Sequence, residues 1–335
     1  MVNIGIIGCG HWGPNHIRNF SGISGCSVVA CCDLDNNRLN HIKKIYPLVK
    51  AVSDYKVLLK DKSIIAVVIS TPTSTHYRLA KEALLSGKDV LCEKPLALNA
   101  KEARELVFIA RQKKRILMVG HVFLFNSGIQ KMKEYIKNKT LGEIYYMRAT
   151  RTNLGPIRND VNVALDLAVH DISIFSFLLE KEPVMVNATG TKILRKNLED
   201  IAFISLHYPG SVLANIQVSW LDPRKVREIT VVGEKKMAVW DDLSATDMLR
   251  IYDKGVIREP YYDNFGEFQL LIREGEVAVP KINATEPLRV QSQHFIDSVL
   301  TRKNNLCDGN NGLSTTKVLE AVQKSLARNG EAVKV

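Results

Sequence analysis

Between an apolar run, Val2–Gly8, and a helix-like stretch opening at Pro14, the chain carries the segment GCGHWG, with glycines at positions 8, 10 and 13. No other feature limits the possible folds so strongly. Glycines at this spacing, with a strand before and a helix after, suit a tight turn, a close approach of the backbone to a ligand, and close packing of helix on strand. The unpaired N–H groups that open such a helix attract an anion. Pro14 falls in the first turn, where its missing N–H does no harm. Asp33 ends the next apolar run, 20 residues after Gly13. A carboxylate there can accept both hydroxyls of an adenosine ribose and repel a 2′-phosphate. The unit therefore reads as a dinucleotide site that favours NAD over NADP, with the nearby Arg38 pulling the other way. The bare glycine spacing is also met in plain structural turns; strand, helix and Asp33 in register decide for the cofactor.

Up to about residue 122, apolar runs (2–8, 27–33, 64–71, 89–93, 116–120) alternate with amphipathic stretches such as 75–87 and 99–115. Asn99 followed by Glu102 resembles a capping box, and Gly87 suits a helix stop. The pattern predicts an α/β domain over 1–122, a doubly wound parallel sheet covered on both faces. After residue 123 the texture changes. Helices are expected over 127–138 and 162–179. Strand-like segments then follow at 184–194, 201–208, 212–221, 228–233 and 237–241, with Pro209-Gly210 as a hairpin turn. That predicts a C-terminal α+β domain over 123–335 with a mainly antiparallel sheet. Helices near 287–301 and 312–327 close the chain, the last free to return to the first domain.

A length of 335 residues suits two domains. No run approaches the ~20 consecutive apolar residues that span a bilayer. The six cysteines show no CxxC or metal spacing and sit mostly in apolar runs, so a reducing cytoplasm is expected, without a disulfide framework or a metal. The excess of 46 Lys+Arg over 35 Asp+Glu leaves +11, but the positive residues are scattered. The densest groups, 111–115 and 235–236, lack interleaved aromatics, which argues against nucleic acid and membrane partners and leaves a small anionic ligand compatible.

Three strand ends carry unusual polar residues, where a doubly wound sheet places its ligands. They are the loop STPTSTH (70–76), Cys92-Glu93-Lys94-Pro95, and Gly120-His121. Plainer readings exist for each: helix capping by Ser74 or Thr75, a surface lysine, a structural histidine. The segment DLAVHD places Asp166 and His170 one turn apart on one helix face. A carboxylate beside an imidazole orients it and raises its basicity, as a general base for an alcohol requires. In a helix otherwise so apolar, such a pair points to function more than to a surface ion pair.

Taken together, GCGHWG, STPTSTH, CEKPL, GHVFLFN, DLAVHD and the strand-rich second half resemble the Gfo/Idh/MocA family of NAD(P)-dependent sugar and cyclitol oxidoreductases, over nearly the whole chain. The resemblance implies a catalytic set of Lys94, Asp166 and His170, with a Lys94–Pro95 bond that is often cis. It implies cofactor contacts from Gly8, Gly10, His11, Trp12, Gly13, Asp33, Arg38, Ser70, Thr71, Pro72, Thr73, His76, Glu93 and Lys94. In the implied reaction His170, oriented by Asp166, takes a hydroxyl proton while Lys94 stabilises the same oxygen. Ala168, in place of a usual glycine, and Asp171, directly after the histidine, depart from the commonest pattern. The stretch 151–162 resembles a nucleotide-sugar branch that includes UDP-N-acetylglucosamine 3-dehydrogenases. On that likeness the substrate contacts would come from His121, Asn126, Arg151, Asn153, Arg158, Asn159, Asp160, Asn162 and His170. Trp220 and Lys225 are further candidates, and Arg158 would face a diphosphate. Alternatives are an inositol dehydrogenase or a 3-ketosugar reductase on the same frame. A non-catalytic NAD-sensing regulator is the rival from another class, against which the retained Lys94, Asp166 and His170 speak. A homodimer or homotetramer is expected.

Overall fold

In a computed structural model the described residues are 1–257, 271–303 and 306–335. They divide into two compact units: Met1–Phe125 with Thr285–Glu320, and Asn126–Ala284 with Ala321–Val335.

The first unit holds β1 (Val2–Ile7), β2 (Cys26–Cys32), β3 (Lys50–Val52), β4 (Ala66–Ile69), β5 (Asp89–Cys92) and β6 (Leu117–Val119). They form one sheet in the order β3-β2-β1-β4-β5-β6, every pair parallel. Between them run α1 (Gly13–Ser21), α2 (Asn36–Ile45), α3 (Lys56–Lys60), α4 (His76–Leu85) and α5 (Ala100–Lys113). β4 and β5 are buried along their whole length, as strands covered on both faces must be. The strand order reverses beside β1 and β4, which sets the ligand crevice at their carboxyl ends. Asn99 caps α5 by accepting the Glu102 N–H at 2.9 Å. The edge strand β3 escapes the apolar pattern because its sequence, Lys-Ala-Val, is short and starts on an exposed lysine.

The second unit contains α6 (Ser127–Lys137), α7 (Val169–Leu179) and β7 (Ile144–Leu154), β8 (Met185–Thr191), β9 (Ile201–His207), β10 (Leu213–Ser219), β11 (Leu221–Gly233), β12 (Met237–Asp241), β13 (Leu249–Ile257), β14 (Leu271–Ala278) and β15 (Val333–Lys334). Among the described residues these strands form one sheet, β14-β13-β12-β11-β7-β10-β9-β8-β15. Its pairs are antiparallel except β10 with β7. In β9, Ala202, Ile204 and Leu206 are buried while Phe203 points out, the period of two that a one-sided sheet requires. The turn at Pro209-Gly210 joins β9 to β10, with Gly210 at φ +85°.

Three sequence expectations need correction here. The expected strands of this unit begin only at residue 184, yet β7 comes before them and pairs on both sides, with 151–154 as its end. Its alternation is masked because one inward position is an arginine. The expected single helix over 162–179 is interrupted: residues Ala164–Ala168 form a π-helical turn, and α7 begins only at Val169. Lastly, α8 (Pro287–Thr301) belongs with the first unit, not the second, and the first part of α9 (Gly309–Ala327) returns there too, as the sequence reading allowed. Phe295 of α8 meets Phe20 of α1 edge-on at 6.2 Å, and Glu286 pairs with Arg18 and Asn19.

Candidate active site

The glycine loop fits a dinucleotide on its own geometry. Gly8 has φ +98°, and a Cβ there would lie 2.6 Å from the Ser70 carbonyl oxygen. A Cβ on Gly13 would lie 2.2 Å from the Gly8 carbonyl, so helix α1 can start this close to β1 only without a side chain. A Cβ on Gly10 would meet nothing nearer than Arg38 Nη1 at 3.5 Å, which leaves this side of the loop open to approach. No side chain caps the start of α1, so its first N–H groups stay available for a phosphate. His11 and Trp12 are exposed beside it, their rings edge-to-face. Asp33 accepts the Cys9 N–H at 2.6 Å and the Asp35 N–H at 2.9 Å, and Arg38 Nη1 stands 3.6 Å from it. Two N–H bonds fix the carboxylate and leave lone pairs for ribose hydroxyls. Asp33→Ser should weaken NADH binding by about 1–3 kcal/mol and let Arg38 improve NADPH binding. Fluorescence titrations with both cofactors check this, and an unchanged preference would refute the role of Asp33.

The loop after β4 braces this turn. Ser70 Oγ donates to the Gly8 carbonyl at 2.9 Å. Thr71 and Thr75 share a hydroxyl bond of 2.6 Å, Thr75 also donates to the Pro72 carbonyl, and Thr73 is buried. His76 directs Nδ1 at the Pro95 carbonyl (2.8 Å) and Nε2 at the Thr71 carbonyl (2.9 Å). Its ring nitrogens thus serve the main chain, a use that the sequence reading of His76 as a cofactor contact did not foresee.

At the end of β5, Lys94 is 8% exposed and precedes a cis bond to Pro95. The Glu93 carboxylate accepts from His16 Nε2 at 2.9 Å and from the Lys94 N–H at 3.3 Å. Burial pushes the Glu93 carboxyl up, but the His16 bond and the Lys94 charge outweigh it and hold the group below its ordinary range. The same carboxylate packs on Gly120, where a Cβ would lie 3.0 Å from it. Next to it, His121 is 1% exposed with neither ring nitrogen bonded. Burial lowers its pKa to about 4, against the pull of Glu93 and helped by Lys94, so it is a neutral imidazole at physiological pH. His16 escaped the sequence reading. Its position one turn before Phe20, on the buried face of α1, was the available signal.

In the second unit, the π turn carries Asp166, whose Oδ1 lies 3.2 Å from Arg158 Nη1. Arg158 also grips Asp160 through Nε and Nη2 at 2.9 and 2.6 Å. Burial works against the Arg158 charge, and the two carboxylates more than restore it. A diphosphate at Arg158 would compete with both. His170 is 8% exposed at the start of α7, where its carbonyl accepts from Ser173. The neighbouring Asp171 takes a bidentate pair from Arg151 at 2.9 and 2.8 Å, with both side chains buried.

Several expected substrate contacts are thereby committed elsewhere. Arg151 is spent on Asp171. Asn126 caps α6, accepts from Trp240 Nε1 and donates to Asp242. Asn162 bonds Glu199, Gln323 and the Leu165 N–H, and Asn153 donates to the Gly155 carbonyl. Trp220 is a core residue with the Arg195 guanidinium over its ring. Asn159, Asp160 and Lys225 are exposed. Among the described residues no cluster of His, Cys, Asp or Glu is arranged to hold a metal, and no helix is long and apolar enough to cross a membrane.

Comparison with known proteins follows these two halves. The profile of an oxidoreductase family with an NAD-binding Rossmann fold (GFO_IDH_MocA) matches residues 2–121, and the C-terminal domain profile of the same family matches 129–239. The chain is 27% identical to UDP-N-acetylglucosamine 3-dehydrogenase of Acidithiobacillus ferrooxidans, over 92% of each chain. It is also 27% identical to myo-inositol 2-dehydrogenase of Thermotoga maritima, over 76% of this chain and 79% of that one. A solved structure of the A. ferrooxidans enzyme matches with TM-score 0.82 at 25% identity, covering 97% and 98% of the two chains. GenD2 from gentamicin A biosynthesis, solved with NAD, shares the fold with TM-score 0.84 at 18% identity, over 100% of this chain and 96% of that one. With the NAD-binding glycine loop, the parallel sheet and both family profiles in place, the chain belongs to the Gfo/Idh/MocA family of NAD-dependent oxidoreductases.

Proposed function

We propose that this protein oxidises a secondary hydroxyl of a sugar with NAD, and that the sugar is a nucleotide sugar, UDP-N-acetylglucosamine oxidised at C3 to the 3-keto sugar. The observation that carries the reading is the environment of Lys94. An ammonium at the end of β5, with its neighbours pinned by His16 and His76, stands beside a neutral, unbonded His121 at the mouth of an NAD-binding sheet. Bound NAD would be held by Gly8, Gly10, Gly13 and Asp33 and supplies the hydride acceptor. Lys94 hydrogen-bonds the reacting hydroxyl and stabilises the alkoxide as it forms. His170 takes the hydroxyl proton, and Asp166, itself steadied by Arg158, favours the charged ring that results. His121 offers one donor and one acceptor, which suits a neighbouring sugar hydroxyl. The match to the A. ferrooxidans enzyme, which runs over 92% of each chain against 76% and 79% for the equally identical inositol dehydrogenase, supports the nucleotide sugar.

A second reading, a cyclitol such as myo-inositol, is favoured by Arg158: its two carboxylate partners leave little for a diphosphate. Incubation with NAD, a set of UDP-sugars and myo-inositol, followed by mass spectrometry, separates the two. Loss of two hydrogens from UDP-N-acetylglucosamine supports the first reading; loss from inositol alone replaces it. With the true substrate, His121→Phe should raise KM roughly ten- to hundredfold, the cost of an unmade buried hydrogen bond, with NADH affinity unchanged.

A further inference from the structure

His76 opens α4 and is 1% exposed. Its two ring nitrogens face two backbone carbonyls, Pro95 at 2.8 Å and Thr71 at 2.9 Å. A carbonyl oxygen can only accept. Both nitrogens must therefore donate, and a neutral imidazole has one N–H. The neutral ring would press a lone pair against a carbonyl lone pair at hydrogen-bonding distance. Turning the ring over does not help, because carbon atoms would then sit far inside the ~3.3–3.6 Å of a C–H···O contact. Burial and the positive start of α4 both oppose a charged ring. The helix-end effect is the smaller of these and fades within a turn, while a charge-assisted hydrogen bond is about twice as strong as a neutral one, and here there are two.

The carbonyls belong to the two loops that matter. Thr71 follows Ser70, whose carbonyl lies against Gly8 and whose hydroxyl holds the Gly8 carbonyl. Pro95 follows Lys94. We propose that His76 is a doubly protonated positioning residue, an imidazolium clamp that ties the cofactor-side loop after β4 to the Lys94 loop after β5. Its effect on turnover rests on the reading of Lys94 as the reacting ammonium; its protonation does not.

The test is long-range nitrogen–proton NMR of the full chain labelled with ¹⁵N-histidine at neutral pH, with and without NADH. His76 is assigned by its absence from the His76→Gln spectrum, or through space to the Pro95 ring protons if that variant fails to fold. Both His76 nitrogens should carry protons. A pyridine-type nitrogen on His76 would overturn the clamp. In folded His76→Gln, which can donate to one carbonyl only, kcat should fall about tenfold or more through misplacement of Lys94, with NADH affinity unchanged. Unchanged kcat, or loss of NADH binding, would overturn the positioning role. If no sugar is turned over by the parent protein, the spectrum still decides the protonation.

Discussion

Lys94→Met is expected to lower turnover by about 10³-fold or more while NADH still binds. Methionine keeps the length of the side chain and suits a site only 8% exposed, so the loop should hold its shape. The charge alone is lost. An alkoxide forming without that cation loses its charged hydrogen-bond donor. Lys94→Arg should not rescue, because a planar guanidinium cannot occupy the place of a compact ammonium near Glu93 and His121. Initial rates of NADH formation and a parallel NADH titration measure both halves. Turnover within tenfold of the parent would take Lys94 out of the chemistry.

The second large effect concerns stability. Asp171→Ala should cost about 3–5 kcal/mol, since it strands the Arg151 guanidinium in the interior with its bidentate partner gone. Arg151→Met combined with Asp171→Leu should recover most of that loss, because apolar residues of similar volume replace a buried pair at little net cost. Urea unfolding followed by tryptophan fluorescence reports on this pair well: of the three tryptophans, Trp220 and Trp240 lie buried in the second unit. Equal stability of parent and Asp171→Ala would show that the pair contributes nothing. The double variant carries a further reading. If it is stable but slow, the pair serves to fix the rotation of α7, and with it His170.

The first unit was largely legible because its strands are buried on both faces and so appear as unbroken apolar runs; the short, polar β3 was not. In the second unit β7 stayed hidden, since the buried Arg151 breaks the alternation that reveals a one-sided strand. The strand-end rule found the loops of Glu93, Lys94 and His121. It did not find His16, which reaches Glu93 across 77 residues of sequence. Nor could residue type separate ligands from braces: Asn126 and Asn162 are the polar residues a sugar site would use, and the fold uses them on helix starts and neighbouring side chains. The π turn under Asp166 has no sequence signature, and four-residue spacing alone suggested an ordinary helix.

The first unit takes α8 from a stretch of sequence that follows residues 126–284 of the second, and this orders events at the ribosome. When residue 125 leaves the exit tunnel the parallel sheet is already complete in sequence, but Phe20 has no Phe295 to cover it and Arg18 and Asn19 have no Glu286. The nascent N-terminal half must wait with that helix flank bare until some 160 further residues have been made, a count that follows from the Phe125 and Thr285 boundaries. Vectorial, half-by-half maturation is therefore closed to this chain. A polypeptide arrested after residue 125 should be cut readily by protease and occupied by chaperone, whereas one released beyond residue 320 should resist.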